Sequence, residues 1–254
     1  MILVIDIGNT NIVAGCMKGN EILFRERLST AHRATKLEYS VLFKTAFDMY
    51  GIDYKSVDGA IISSVVPSVT NVVKEAIESL CGINVMVVGP GVKTGISIVI
   101  DNPAQLGSDL AVDAVAGIEE YPLPQIIIDM GTATTVSAIN KDRQFLGGAI
   151  LPGVAVSHDA LIGRTSQLPK VAFEKPKKII GSNTVDSIKS GILYGNAGAI
   201  DGIVERFEEE IGEKCTVIAT GGLAKVIVPL CKRDIIVDED MLLKGLKLIY
   251  EKNK

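Results

Sequence analysis

The sequence predicts an α/β protein of two similar, duplicated domains with a cleft between them, and three observations carry that expectation. The chain has 254 residues, long for one comfortable core and short for three. Its opening stretch VIDIGNTNIV (4–13) returns in the second half as IIIDMGTATT (126–135). Setting Asp6 against Asp129 also sets Gly8 on Gly131, Asn9 on Thr132, Asn11 on Thr134 and Lys18 on Lys141. Finally, the apolar run Ile61-Ile62-Ser63-Ser64, which ends in small residues, has a counterpart in Val217-Ile218-Ala219-Thr220-Gly221-Gly222. A repeated strand–Asp-x-Gly–turn–strand unit is what duplication leaves behind. The expected domains are 1–115 and 116–254.

Each element has its own signal. The runs ILVIDIG, NIVAGCM and EILFRERL, split by turn-forming Gly8-Asn9 and Gly19-Asn20, read as a β-meander. A helix is expected over 37–49, a buried strand over 59–64, a helix over 69–80 and a strand at INVMVVG. A helix near 105–120 is expected where the halves meet. The longest helix is expected over 184–210, where Gly191, Gly195 and Gly198 recur. A glycine inside a helix costs about 1 kcal/mol relative to alanine, so these three are read as permitting close packing against a helix or ligand.

Composition narrows the function. Hydrophobic residues make up 47% and charged residues 22%, the balance of a soluble globular protein. No apolar run reaches the length that crosses a bilayer, and MILVIDIGNT has no basic start, so it reads as a first strand rather than a signal peptide. A net charge of -4 without a lysine/arginine stripe argues against a nucleic-acid partner. Cys16, Cys81, Cys215 and Cys231 show no CxxC spacing and read as reduced thiols in a cytoplasmic protein. His32 and His158 read as surface residues, and no G-x-S-x-G is present. The chemistry is left to carboxylates, backbone amides and hydroxyls.

A carboxylate inside an apolar strand is costly unless something pairs with it. The turn after Asp6 exposes backbone N–H groups that can cradle phosphate, and Gly8 lets the chain approach closely. Asn9, Thr10 and Asn11 add side-chain donors. Asp6 would hold a hydrated Mg²⁺ that neutralises the β- and γ-phosphates of a nucleotide. Gly131, Thr132 and Thr134 could serve the other end of the phosphate chain. Either motif alone also fits a β-turn with an Asx hydrogen bond; the matched pair favours phosphate. Gly89-Pro90-Gly91-Val92-Lys93-Thr94 lacks P-loop spacing and reads as a loop.

With these motifs in view, the chain resembles the actin/sugar-kinase/Hsp70 superfamily and, within it, the type III pantothenate kinases. The resemblance runs nearly end to end, through DIGNTNIV, IISSVVPSVT, DNPAQLGSDL, IDMGTATTVSAI, GGAILPGV, LPKV, IGSNTVDSIKSGILYG, ATGGLA and LKGLKLIYE. It implies the actin-like, ribonuclease H-like fold and transfer of the ATP γ-phosphate to pantothenate, the first step of coenzyme A biosynthesis. It also implies ATP contact along Asp6, Ile7, Gly8, Asn9, Thr10, Asn11, Ile12 and Val13, and phosphate contact at Thr132, next to the Gly131 of the same turn. Asp129 inherits a site for a monovalent cation, K⁺ or NH₄⁺. Gly107, Ser108 and Asp109 match the family's G-A-D-R acceptor motif, with Asp109 as the base, and Thr184 matches a threonine that contacts the acceptor. A homodimer with the site near the subunit interface is implied too.

The chain departs from the family at the acceptor end. Leu110 stands where the family has the arginine that grips the pantothenate carboxylate, Ile100 where it has a tyrosine, and Asp113 where it often has asparagine. Losing the guanidinium removes charge-assisted bonds of about 1.5–3 kcal/mol each. Asp113, at i+4, is expected to add a second negative charge to the face that holds Asp109. Arg164 and Lys189 are candidates to replace the arginine. The alternatives are a relative that phosphorylates a neutral or cationic hydroxylated acceptor, and a non-catalytic nucleotide-binding regulator.

Overall fold

The computed structural model describes all 254 residues. The chain divides into two compact units, one of 1–95, 102–116 and 241–254, the other of 96–101 and 117–240. They are not the two contiguous segments 1–115 and 116–254, because the last 14 residues belong with the first unit and 96–101 with the second.

In the first unit, β1 (Ile2–Ile7), β2 (Asn11–Lys18) and β3 (Glu21–Ser29) form the expected antiparallel meander. Helix α1 (Lys36–Met49) opens on a capping box between Thr35 and Glu38, a motif worth about 1 kcal/mol. Strand β4 (Gly59–Ser64) then pairs parallel with β1, α2 (Pro67–Cys81) starts on Pro67 and stops at left-handed Gly82, and β5 (Val85–Val87) pairs with β4. The sheet order is β3-β2-β1-β4-β5. Along β1, Leu3, Ile5 and Ile7 enter the core beneath α1 and α2 with Tyr39, Phe43, Phe47 and Ile77. Full burial of such side chains is worth about 1.5–3 kcal/mol each.

The second unit repeats the plan. Strands β7 (Gln125–Met130), β8 (Ala133–Ile139) and β9 (Gln144–Pro152) form the meander. The short β6 (Ser97–Ile98) pairs with β9, and β10 (Thr216–Thr220) pairs with β7 and with β11 (Ile236–Val237). The order β11-β10-β7-β8-β9-β6 contains that of the first sheet, with β6 added at its edge. Even a register irregularity is repeated, between Cys16 and Met17 in one unit and between Ala138 and Ile139 in the other.

This register corrects the expected alignment. Asp6 lies opposite Val13, but Asp129 lies opposite Thr135 rather than Val136. The second hairpin is one residue shorter, so Thr10 matches Thr132, Asn11 matches Ala133 and Lys18 falls on Asn140, not Lys141. An ungapped comparison cannot see a deletion inside a turn, where side-chain alternation is interrupted.

Besides α3 (Ser108–Glu120), the remaining α-helices are α4 (Val154–Gly163), α5 (Thr184–Ile211), the short α6 (Ala224–Ile227) and, in the first unit, α7 (Met241–Asn253). The helix expected over 105–120 is α3 (Ser108–Glu120), preceded by a 3₁₀ turn at Pro103–Gln105. Helix α5 is capped by the Asn183 side chain and ends at left-handed Gly212. Its Gly191, Gly195 and Gly198 are exposed, and a methyl group at any of them would meet no neighbour, so no close packing within the chain explains them. His158 is also corrected: it is 4% exposed, its Nε2 accepts from the Val171 amide (3.2 Å), and its ring meets Phe173 edge-on. Cys16 and Cys81 are buried and Cys215 and Cys231 half-buried, all as free thiols. Residues 89–94 form the expected loop.

Candidate active site

In each unit a carboxylate stands near the carboxyl end of the central strand, on the sheet face opposite the main core. In the first unit that face is covered by α7, whose Leu243 and Tyr250 press on Gly15 and Gly59. Val4 is fully buried on this side, and Asp6, two residues on, emerges half-buried beside Val13 and Ser63. In the second unit Ile126, Ile128 and Met130 face the core, which puts Gln125, Ile127 and Asp129 on the other side. There Asp129 is half-buried between Thr135 and Thr220. Carboxyl ends of parallel strands are where open α/β sheets bind ligands.

The turn after each carboxylate is pinned from the same place. In the first, the Gly8 amide donates to the Asn11 carbonyl (2.9 Å). Thr30, the residue after β3, donates its amide to the Thr10 carbonyl (2.9 Å) and its hydroxyl to the Gly8 carbonyl (2.6 Å). In the second, Gly153, the residue after β9, donates its amide to the Thr132 carbonyl (3.2 Å), and a Cβ on Gly153 would overlap that carbonyl. At the tips, Asn9, Thr10 and Thr132 are exposed. Ile7 and Ile12 are fully buried in the core, so only their backbone could reach a ligand, and the Ile7 carbonyl already accepts from Val65 (3.1 Å). Thr134 is 2% exposed and points to the core face with Met130, which removes its hydroxyl from the phosphate side.

Gly221 directly follows β10 with φ +93, and a Cβ there would lie 2.5 Å from Asp129 Oδ1 and 2.6 Å from the Met130 amide nitrogen. Only glycine leaves the carboxylate its room. Gly221→Ala is expected to cost about 1–3 kcal/mol of stability and to weaken nucleotide binding at least tenfold. Thermal melts and nucleotide titration check this; unchanged affinity would refute it.

Asp109 lies in the first turn of α3, where the helix dipole favours a carboxylate, and its Oδ1 accepts from the Leu110 amide (2.9 Å). The Ser108 hydroxyl does not cap this helix; it is bonded to Ser63 and Ser64 at the end of β4. Because Ser63 pairs with Asp6 across the sheet, Asp6, Ser63 and Ser108 form one contiguous neighbourhood in the first unit. Asp113 is 2% exposed, so it adds no charge to an open face, contrary to the sequence expectation. The close approach of Gly245 to Val112 shows α7 packed against that stretch of α3.

In the second unit Thr184 is the exposed first residue of α5, at the rim of an open groove of about 840 Å³ lined also by Ser157, Leu161, Ser187 and Gly191. Ile100 follows β6 and lies near Gly147. Lys189 is engaged by Glu174 (3.2 Å), and Arg164 is exposed at the end of α4. Sequence reasoning missed Thr30, Gly153 and Gly221. Thr30 and Gly153 hold equivalent places after the third strand of each repeat, a signal visible only once register is known.

A family model for type III pantothenate kinase matches residues 2–206. The chain belongs to the type III pantothenate kinase family. A type III pantothenate kinase of Halalkalibacterium halodurans is 43% identical over 253 residues, covering 100% of both chains. One of Pelobacter propionicus is 45% identical over 254 residues, again covering 100% of both. Among solved structures, a Baf family protein of Campylobacter jejuni superposes with a TM-score of 0.60 at 17% identity, covering 99% of this chain and 98% of that one. Component A of (R)-2-hydroxyglutaryl-CoA dehydratase from Acidaminococcus fermentans gives 0.57 at 14%, covering 100% and 99%. At such identities the likeness concerns the fold, which is that of the actin-like ATPases and sugar kinases. The pantothenate kinase family assignment rests on the sequence match.

Proposed function

We propose that this protein is an ATP-dependent cytoplasmic kinase that phosphorylates pantothenate to 4'-phosphopantothenate, opening coenzyme A biosynthesis. The observation that carries the reading is Asp109, in the first turn of a helix whose first residue, Ser108, is bonded to the strand beside Asp6. Its place in the same unit as the 8–11 turn supports reading it as the proton acceptor. The acceptor hydroxyl oxygen bonds to the γ-phosphorus, the bond to the β–γ bridging oxygen breaks, ADP leaves, and the hydroxyl proton passes to the Asp109 carboxylate.

The residues present suit the groups this chemistry needs. Asp6 and the 8–11 turn would hold Mg²⁺·ATP, and Gly131 and Thr132 the phosphates. No group of three or more His, Cys, Asp or Glu gathers anywhere in the structure, and Mg²⁺ held by one carboxylate, water and phosphate oxygens needs none. Bound Mg²⁺ supplies neutralisation of the charge on the transferring phosphate. Asp129, kept clear by Gly221, would hold K⁺ or NH₄⁺. We further propose a homodimer. Support comes from the outward face of β9, where Leu146 and Ile150 are exposed (38% and 76%), with Ile179 and Ile180 also bare at 60% and 83%.

The test is ADP release with pantothenate, ATP and Mg²⁺ at high K⁺, with Leu110→Arg in parallel. Turnover by the unaltered chain is expected. The variant should lower KM for pantothenate about tenfold or more, the value of one recovered charge-assisted bond. No turnover by either protein would refute the reading.

A further inference from the structure

The Ser108 hydroxyl has one proton to give and two lone pairs to offer, and all three are used within the first unit. It donates to the Ser64 carbonyl (3.1 Å), and accepts from the Ser64 amide (3.1 Å) and the Ser63 hydroxyl (3.0 Å). Ser63 is fully buried. The Ser64 hydroxyl is committed in turn: it accepts from the Val66 amide (3.0 Å) and lies 2.7 Å from the Thr70 hydroxyl at the start of α2. A side chain so saturated has nothing left for an acceptor, although its neighbours in the sequence are the residues matched to acceptor binding.

We infer that the Ser63–Ser108 hydroxyl pair is a positioning device, which fastens the first turn of α3, and with it Asp109, to the strand end that neighbours Asp6. This rests on the reading of Asp109 as the base. The two carboxylates are separated along the chain by about a hundred residues, yet a short covalent and hydrogen-bonded path joins them. Asp6 pairs with Ser63, Ser63 bonds Ser108, and Ser108 is covalently joined to Asp109. A base that must meet a hydroxyl at hydrogen-bond distance loses rate when its backbone wanders by an ångström.

Ser108→Ala strips the acceptor from the Ser63 hydroxyl and the Ser64 amide while leaving Asp109 in the sequence. The expected result is a three- to tenfold fall in kcat for pantothenate, with KM for pantothenate and ATP within about twofold. Amide hydrogen exchange over 107–111 should quicken, and Ser108→Thr, which restores a hydroxyl, should recover both signals. Ser63→Ala should lower kcat in the same direction, and the double variant should be no slower than Ser108→Ala, which already removes the Ser63–Ser108 bond. A raised KM for pantothenate at unchanged kcat would make Ser108 an acceptor contact and overturn the inference. So would unchanged kcat with unchanged exchange. Should the unaltered protein turn over no pantothenate, the functional reading fails by itself. The fastening is then judged on exchange alone: faster exchange in Ser108→Ala upholds it and unchanged exchange overturns it.

Discussion

Asp109→Asn is expected to cut kcat by about 10²–10⁴-fold while leaving ATP affinity within about twofold. Asparagine keeps the size of aspartate and can still accept the Leu110 amide through its own oxygen, so the start of α3 survives the change. What disappears is the ability to receive the proton of the attacking hydroxyl. An ADP-release assay reads the first quantity and a nucleotide titration the second. Retention of more than a tenth of the activity would remove Asp109 from the role of base.

Asp6→Asn should fail differently. Loss of the charge that holds Mg²⁺ is expected to lower turnover by about 10²–10³-fold and to raise the Mg²⁺ concentration for half-maximal rate. The fold should stand, because Asp6 is half-buried at the end of its strand rather than packed in the core. The diagnostic is the contrast: Asp6→Asn shifts the metal titration and Asp109→Asn does not. An unmoved Mg²⁺ midpoint in Asp6→Asn would exclude the phosphate-turn reading, whatever the rate.

Much of this was legible in the sequence because the informative residues obey strong local rules. An aspartate that breaks an apolar strand, followed by glycine, is visible twice without any structure. Register confirms that both stand near the carboxyl ends of matching central strands. The shorter second turn was invisible, since Thr132 and Ala133 carry no periodicity from which to count. His158 was misread because composition treats histidine as a surface residue, whereas its imidazole here has an amide to accept from and an aromatic ring to lean on. Asp113 was misplaced for a related reason: spacing along a helix gives the face but not what covers it, and the face holding Asp113 is buried. The saturated hydroxyl of Ser108 lay beyond reach altogether, because its partners come from a strand more than forty residues earlier.

The return of α7 to the first sheet bears on how the chain acquires its shape during synthesis. Leu243 and Tyr250 fill the space over Gly15 and Gly59, so β2 and β4 keep one face bare until α7 has been made. Closing that contact gathers in a loop of roughly 230 residues, a late and slow event for a growing polypeptide. The sheet bearing Asp6 is therefore begun early and finished late, by a helix far along the sequence from its first strands.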